Sequence, residues 1–248
     1  RPDGNKQYIE IKEQFDHYLT DPYTPFVERE PKRDHVTFAF IGGGFAGLVT
    51  GARLVEQGIT DVRIIEKGGD FAGTWYWNRY PGARCDTESL FYSYQFDDGL
   101  QQDWTWTERY PAQPEILRYA QHVAHRFDLK RDISFNTKII DARWDERAQL
   151  WNVATDTGKR NNCRFLISAV GCLSAVNIPD IDGLDEFTGE RYQTGLWPHE
   201  GVDFRNKTVA IIGTGSSAIQ SIPIITEQAR HVTCLLYTSP SPRDQRGS

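Results

Sequence analysis

A short apolar run that ends in a glycine-rich turn constrains the fold of this chain more than any other feature. Residues 36–41 read VTFAFI, the composition of a buried parallel strand, and GGGFAG follows at residues 42–47. Apolar residues then recur at helical spacing up to Gly58, which is placed to end a helix. A second apolar run at residues 62–65 completes the pattern. The sequence therefore predicts a strand–helix–strand unit and an α/β fold with parallel strands.

The glycine turn has the spacing of a Rossmann-like dinucleotide-binding site. Gly42 allows the sharp turn, Gly44 lets a pyrophosphate approach the backbone, and Gly47 lets the helix pack close to the strand. With Phe45 and Ala46, these residues place the N-terminus of a helix where it can hold phosphates. The alternative is a tight turn with a structural role alone.

An acidic residue follows the turn at the position that a ribose requires. Glu66 lies nineteen residues after Gly47, at the end of the second predicted strand. A carboxylate there accepts hydrogen bonds from ribose hydroxyls, and its charge repels a 2′-phosphate, which favours FAD or NAD over NADP. The alternative is a solvated glutamate at a strand end.

A second unit near the end of the chain repeats this design. Residues 208–212 form an apolar strand pattern, a glycine turn follows, and a helical pattern runs to about Arg230 before a new strand pattern at residues 231–236. Two such units predict a flavin at the first and a nicotinamide nucleotide at the second, although a structural turn is the alternative for one of them. The predicted cofactor-binding residues of the second turn are Gly213, Thr214, Gly215, Ser216, Ser217 and Ala218.

Between the two units, the pattern predicts a helix and several strands. Pro114 suits the first turn of a helix whose apolar face continues to Phe127. Residues 1–34 are polar and interrupted by prolines, so we expect a surface arm, with one helix at residues 8–19. Strands are predicted at residues 133–135, 139–144, 151–155 and 163–170, the middle ones as a small antiparallel meander.

Composition excludes several classes of protein. The formal net charge of −6 and the interspersed charges provide no basic face for nucleic acid. The apolar runs are far shorter than the ~20 residues of a membrane span. The four cysteines show neither a Cys-x-x-Cys pair nor metal-ligand spacing, which favours reduced thiols, a cytoplasmic location and no metal site.

The segment at residues 72–86, AGTWYWNRYPGARCD, is unusually aromatic. Any one of Trp75, Trp77 and Tyr80 would by itself be interpreted as a core aromatic. As a run, however, the segment matches the pattern AGxWxxxRYPGxxxD. The chain therefore resembles the type I Baeyer-Villiger monooxygenases, which are class B flavin-dependent monooxygenases, over roughly residues 36–233.

The resemblance implies roles for particular residues. FAD would lie against the first glycine turn and Glu66, with Thr74 and Trp75 beside the flavin ring. Asp86 would be catalytic, coupled to an arginine that the family carries later in its chain, and would help to stabilise negative charge at the flavin. The other residues implied to contact FAD or NADPH are Lys67, Tyr76, Arg84, Cys85, Tyr92 and Ile139.

Two positions depart from the family pattern. The motif FxGxxxHxxxWP appears at residues 187–198 with Gln193 in place of histidine, and glutamine cannot become a cation near neutral pH. Tyr237 stands where the family has an arginine for the 2′-phosphate of NADPH. Because residues 237–248 abandon the preceding pattern, we interpret them as a non-native tail rather than as a change to NADH.

These patterns predict four segments and an incomplete enzyme. The expected segments are an arm at residues 1–35, an FAD-binding domain at 36–180, a linker with a partial NADP-binding domain at 181–236, and the tail. The chain begins with Arg1 and contains no methionine, so we expect its natural start to be missing. Because the family carries its active-site arginine and most of its substrate pocket later in the chain, we expect an N-terminal fragment that is inactive alone.

The resemblance implies an FAD- and NADPH-dependent enzyme that inserts one oxygen atom of O2 next to a ketone carbonyl, giving an ester or lactone. A flavin monooxygenase for amines or sulfides is the main rival, because it shares both glycine turns. A flavin-dependent disulfide reductase is disfavoured by the lack of a Cys-x-x-Cys pair. The remaining alternative is a fragment that only binds a nucleotide or misfolds.

Overall fold

The structure is a computed structural model that describes residues 20–25, 33–158, 160–176 and 181–235. Short 3-10 helices occur at Leu129–Asp132, Leu184–Glu186 and Thr194–Leu196. The other elements, in chain order, are β1 (Arg33–Ile41), α1 (Phe45–Glu56), β2 (Val62–Ile65), α2 (Thr74–Trp77), α3 (Ser89–Tyr92), α4 (Asp98–Asp103), α5 (Gln113–Arg126), β3 (Ile133–Ser134), β4 (Ile139–Asp145), β5 (Leu150–Thr155), β6 (Arg160–Ser168), β7 (Thr208–Ile212), α6 (Ser216–Gln228) and β8 (His231–Leu235).

Six strands form the main sheet in the order β3-β2-β1-β6-β5-β4. Strands β3, β2, β1 and β6 are parallel to one another, whereas β5 pairs antiparallel with both β6 and β4 to form a meander. A separate pair, β7 and β8, is parallel and is joined by α6. The predicted α/β fold is confirmed, with a Rossmann-like first unit, a small meander and the start of a second unit.

The core covers both faces of the main sheet because side chains alternate along a strand. Phe40 and Ile64 pack with residues of α1 and α5 on one face. Their neighbours Ala39 and Ile65 pack with Val153 of the meander on the other face. The sheet thus holds the carboxyl ends of β1, β2 and β6 side by side, where ligands bind in folds of this class.

Most predicted elements are confirmed, with corrections at their ends. Helix α1 ends as expected, because Gly58 adopts a φ of +74° and donates its N–H to the Val55 carbonyl. The strand predicted at 163–170 runs instead from 160 to 168, so Val170 lies outside it. Helices α2, α3 and α4 are not among the predicted elements, and the helix predicted at residues 8–19 lies outside the described residues.

Part of the predicted arm, residues 20–25, is anchored to the main unit by one carboxylate. Asp21 accepts hydrogen bonds from the hydroxyls of Tyr76 (2.6 Å) and Thr24 (2.7 Å) and from the backbone N–H of Tyr23 and Gly69. Burial alone would raise the pKa of Asp21, but these hydrogen bonds outweigh it and hold the pKa below its ordinary value.

Replacing Asp21 with asparagine is expected to reduce the loss of stability in acid. A carboxyl group with a lowered pKa stabilises the fold above its unfolded pKa, and that contribution disappears as the pH falls through the folded pKa. The unmodified chain should therefore lose more free energy of unfolding than Asp21→Asn between about pH 5 and pH 2. Urea unfolding at each pH measures this difference, and parallel curves for the two proteins would contradict the assignment.

Among the described residues, no helix combines the length and apolar character needed to cross a membrane. The same residues contain no group of three or more His, Cys, Asp or Glu side chains arranged to hold a metal ion.

Candidate cofactor site

The turn between β1 and α1 depends on two close backbone contacts. Gly42 has a φ of +108°, and a Cβ added there would lie 2.6 Å from the Ala169 carbonyl oxygen. A Cβ on Gly47 would lie 2.2 Å from the Gly42 carbonyl oxygen. Only glycine therefore allows helix α1 to start this close to the sheet.

The N-terminus of α1 is open to an anionic ligand. Its N-cap is Gly44, no side chain caps it, and the first turn contains no acidic residue. The unpaired N–H groups of a first helical turn carry partial positive charge, which attracts phosphate.

A cavity of about 390 Å³ lies against this helix end, within the range of cofactor pockets. Its lining includes many of the residues predicted from the sequence: Gly42, Gly44, Phe45, Ala46, Glu66, Lys67, Thr74, Trp75, Tyr92 and Ile139.

Glu66 is buried at the end of β2 and also stabilises the glycine turn. Its side-chain oxygens accept hydrogen bonds from the N–H of Gly43 (2.6 Å) and of Gly68 (2.7 Å). Burial raises the pKa of this carboxyl group, while the two amides favour its charged form. The glutamate therefore fixes the glycine turn as well as lining the cavity, and only its place at the cavity is predictable from the sequence.

Lys67 places a cation at the same end of the cavity. Its Nζ lies 4.7 Å from the centre of the Trp77 ring. Burial lowers the pKa of Lys67, the charge of Glu66 raises it, and the charge of nearby Lys138 lowers it further.

Aromatic side chains form the other end of the cavity. Trp75 on α2 donates its indole N–H to the hydroxyl of Tyr92 on α3 at 2.7 Å, and their rings meet edge to face at 5.9 Å. The Phe45 ring lies 5.2 Å from the Tyr92 ring. Such a wall suits a flat aromatic ligand.

Several predicted site residues lie elsewhere. Within the described part of the chain, the cavity lining does not include Gly47, Tyr76, Arg84, Cys85, Asp86 or the second glycine turn. Tyr76 instead gives its hydroxyl hydrogen to Asp21, and Arg84 pairs with Glu108 at 3.0 Å.

Asp86 is hydrogen-bonded to the helix that follows the second glycine turn. Its carboxylate accepts a hydrogen bond from the hydroxyl of Ser216, the first residue of α6, at 3.0 Å. Burial is the main cause of the raised pKa of Tyr92, and the negative charge of Asp86 adds to it. Asp86 therefore stands between the aromatic wall and the second helix N-terminus.

The second turn is exposed. Gly213 adopts a φ of +107° and donates its N–H to the Leu235 carbonyl, and a Cβ added at Gly213 or Gly215 would have no neighbour within 4 Å among the described residues. Ser216 opens α6 without a side-chain cap at Gly215. The turn thus leaves space for a phosphate at a second helix N-terminus.

Part of the cavity wall lies outside the residues predicted from the sequence. The segment 169–174 lines it because β6 runs parallel to β1, which brings the residues after both strands to one edge. Pairing of the two strands could have revealed this segment. Gly195, Leu196 and His199 also line the cavity, and no local pattern signals their approach.

Gln193, which departs from the family motif, has a local structural role. Its side-chain oxygen accepts the N–H of Gly195 and caps the 3-10 helix Thr194–Leu196. Trp197 in the same motif is buried beside Phe204.

Comparison with known proteins identifies the family. The family described as pyridine nucleotide-disulphide oxidoreductase matches residues 39–247. The chain belongs to this family. The match extends into the segment predicted to be a non-native tail, and the origin of that segment stays a prediction.

Several proteins and solved structures are similar to the chain. A Baeyer-Villiger monooxygenase of Streptomyces coelicolor is 39% identical over 259 residues, covering 100% of this chain and 42% of the relative. A phenazine N-monooxygenase of Lysobacter antibioticus is 42% identical over 201 residues, covering 81% of this chain and 37% of the relative. The crystal structure of OTEMO in complex with FAD and NADP superposes with a TM-score of 0.74 at 42% identity, covering 84% of this chain and 40% of that one. The resemblance to Baeyer-Villiger monooxygenases is confirmed, and the chain spans less than half the length of these relatives.

Proposed function

We propose that the cavity at the N-terminus of α1 binds FAD. The observation that carries this proposal is the arrangement of the lining, because one cavity joins Glu66, an uncapped helix N-terminus and the Trp75–Tyr92 wall. These three parts match a ribose, a pyrophosphate and a flat ring in the order that FAD presents them.

The side chains around the cavity would bind and orient this cofactor. The N–H groups at the start of α1 would hold the pyrophosphate. Glu66 would accept a hydrogen bond from a ribose hydroxyl while its bonds to Gly43 and Gly68 keep the turn in place. Trp75 and Tyr92 would hold the ring and exclude water. Bound flavin supplies the capacity to accept a hydride from NADPH and to activate O2.

The second glycine turn would bind NADPH. This role is supported by its open helix N-terminus and by the hydrogen bond from Ser216 to Asp86, a residue that the family resemblance implies to face the nicotinamide. The carboxylate of Asp86 would lie beside the nicotinamide ring and help to orient it. The position of Tyr237 lies outside the described residues, so discrimination between NADPH and NADH rests on the family resemblance.

For the whole enzyme, the proposed activity is insertion of one oxygen atom of O2 next to a ketone carbonyl, giving an ester or lactone. The similarity to the Streptomyces coelicolor monooxygenase and the match of residues 72–86 to the family pattern support this activity. Because the chain spans 42% of that relative, we expect it to bind its cofactors without completing the reaction. A cytoplasmic location and domain limits near residues 35, 180 and 236 stay predictions.

Titration of the purified chain with FAD tests the proposal. Binding should quench tryptophan fluorescence, since Trp75 and Trp77 line the cavity, and should give a protein-bound flavin absorbance after gel filtration. Addition of NADPH without oxygen should then bleach that absorbance. A folded chain that retains no flavin would overturn the assignment.

A second candidate activity is oxygenation of a nitrogen atom. It is favoured by the similarity to the phenazine N-monooxygenase, which is as close in sequence as the Baeyer-Villiger monooxygenase of Streptomyces coelicolor. Incubation of the full-length enzyme with FAD, NADPH, oxygen and either cyclohexanone or phenazine separates the two. A lactone supports the first activity, and an N-oxide alone supports the second.

A further inference from the structure

We infer that Gln220 is a positioning residue that latches α6 onto the loop formed by residues 80–84, hereafter the latch loop. In the proposed function, on which this inference rests, the latch would set the position of the NADPH-binding helix relative to the FAD cavity. Gln220 is not a residue of either glycine turn.

The side-chain amide of Gln220 is engaged at both its oxygen and its nitrogen. Its Oε1 accepts hydrogen bonds from the Tyr80 hydroxyl (2.8 Å) and from the Arg84 N–H (3.2 Å). Its Nε2 donates to the Arg84 carbonyl oxygen at 3.0 Å. Because glutamine can accept and donate at once, one side chain satisfies both backbone groups of Arg84.

The backbone of the latch loop also lies against the helix. Gly82 has a φ of +74°, and a Cβ added there would lie 2.2 Å from the Gln220 carbonyl oxygen. Ile224, one turn further along α6, would lie 3.4 Å from that same Cβ. The loop and the helix thus touch through a glycine, which leaves little freedom for them to slide.

The latch joins the same two segments that carry the proposed cofactor contacts. Asp86 follows the latch loop by two residues, and Ser216 lies about one turn before Gln220 on α6. Their hydrogen bond at 3.0 Å is exposed to water, so alone it would hold the units weakly. The latch gives the Asp86–Ser216 contact a fixed geometry without using a charged group.

Alkylation of Cys85 tests the latch without any cofactor. Cys85 is buried directly after Arg84, and Cys163 is buried in β6 as an internal reference. In Gln220→Leu, the rate of Cys85 alkylation by iodoacetamide should rise about tenfold or more, because the hydrogen bonds that hold the loop closed are lost. Gln228→Leu, the same change at the exposed end of α6, should leave the rate unchanged.

Two results would overturn the latch. One is an unchanged alkylation rate of Cys85 in Gln220→Leu. The other is an equal rise at Cys85 and Cys163, which would mean that the substitution loosens the whole fold.

Cofactor titrations test the positioning role. In the unmodified chain, bound FAD should tighten binding of NADP+ about fivefold or more, the range of ordinary coupling between sites. The ratio of the NADP+ dissociation constants without and with FAD should fall towards one in Gln220→Leu. A purely structural defect would instead weaken the binding of both cofactors and leave this ratio unchanged. A ratio retained by Gln220→Leu would refute the positioning role. If the unmodified chain bound no FAD while Cys85 still became reactive in the variant, the FAD assignment would fail and the latch contact would stand.

Discussion

Replacing Gly47 with alanine is expected to lower the free energy of unfolding by about 3 kcal/mol and to abolish FAD binding. The added methyl carbon would lie 2.2 Å from the Gly42 carbonyl oxygen, and neither group is a side chain that can move aside. The start of α1 would therefore have to shift away from the sheet, which would open the turn. Urea unfolding followed by circular dichroism measures the loss.

Gly58→Ala is the matched control for this prediction. Gly58 ends the same helix with a φ of +74°, and a Cβ there would meet nothing within 4 Å among the described residues. Only the backbone conformation would be strained, at about 1–2 kcal/mol. Equal losses in the two variants would mean that crowding at the turn is not the cause.

Gly44→Ala is expected to keep the fold and weaken FAD binding by about tenfold to a hundredfold. The φ of Gly44 is −72°, which alanine adopts freely, and the new methyl would lie 3.5 Å from the Gly73 Cα in an ordinary contact. However, Gly44 and Gly73 both line the cavity where the pyrophosphate would approach the backbone. The methyl would take space that the phosphates need.

Fluorescence titration with FAD, combined with urea unfolding, separates affinity from stability in this variant. The free energy of unfolding should change by no more than about 1 kcal/mol, the effect of a changed N-cap residue. Unchanged FAD affinity in Gly44→Ala would place the phosphates away from this turn.

The sequence was sufficient for the parts of the fold that depend on local periodicity. The glycine turn, α1 and β2 follow from short-range patterns, because strand burial and helix capping act over a few residues. The short helices α2, α3 and α4 were missed because four to six residues hold too little periodicity to be recognised. Their positions are fixed by tertiary contacts, such as the hydrogen bond from Trp75 to Tyr92.

The same division applies to the candidate site. Glu66 and the turn residues were predicted because their roles depend on spacing along the chain. Two contacts were not predicted: the anchoring of Asp21 at Tyr76 and that of Gln220 at Arg84. Each joins segments that lie far apart in sequence. One sequence contains no signal for such pairs.

The central position of β1 also has a consequence for how the molecule folds. Strand β1 pairs on one side with β2, which follows it closely, and on the other with β6, which is made much later. Residues 169–174, which form part of the cavity wall, follow β6 directly. They include Ala169, whose carbonyl oxygen packs against Gly42. Contacts between distant parts of a chain form slowly. We therefore expect a newly made chain to acquire its capacity to retain flavin only once β6 has paired with β1.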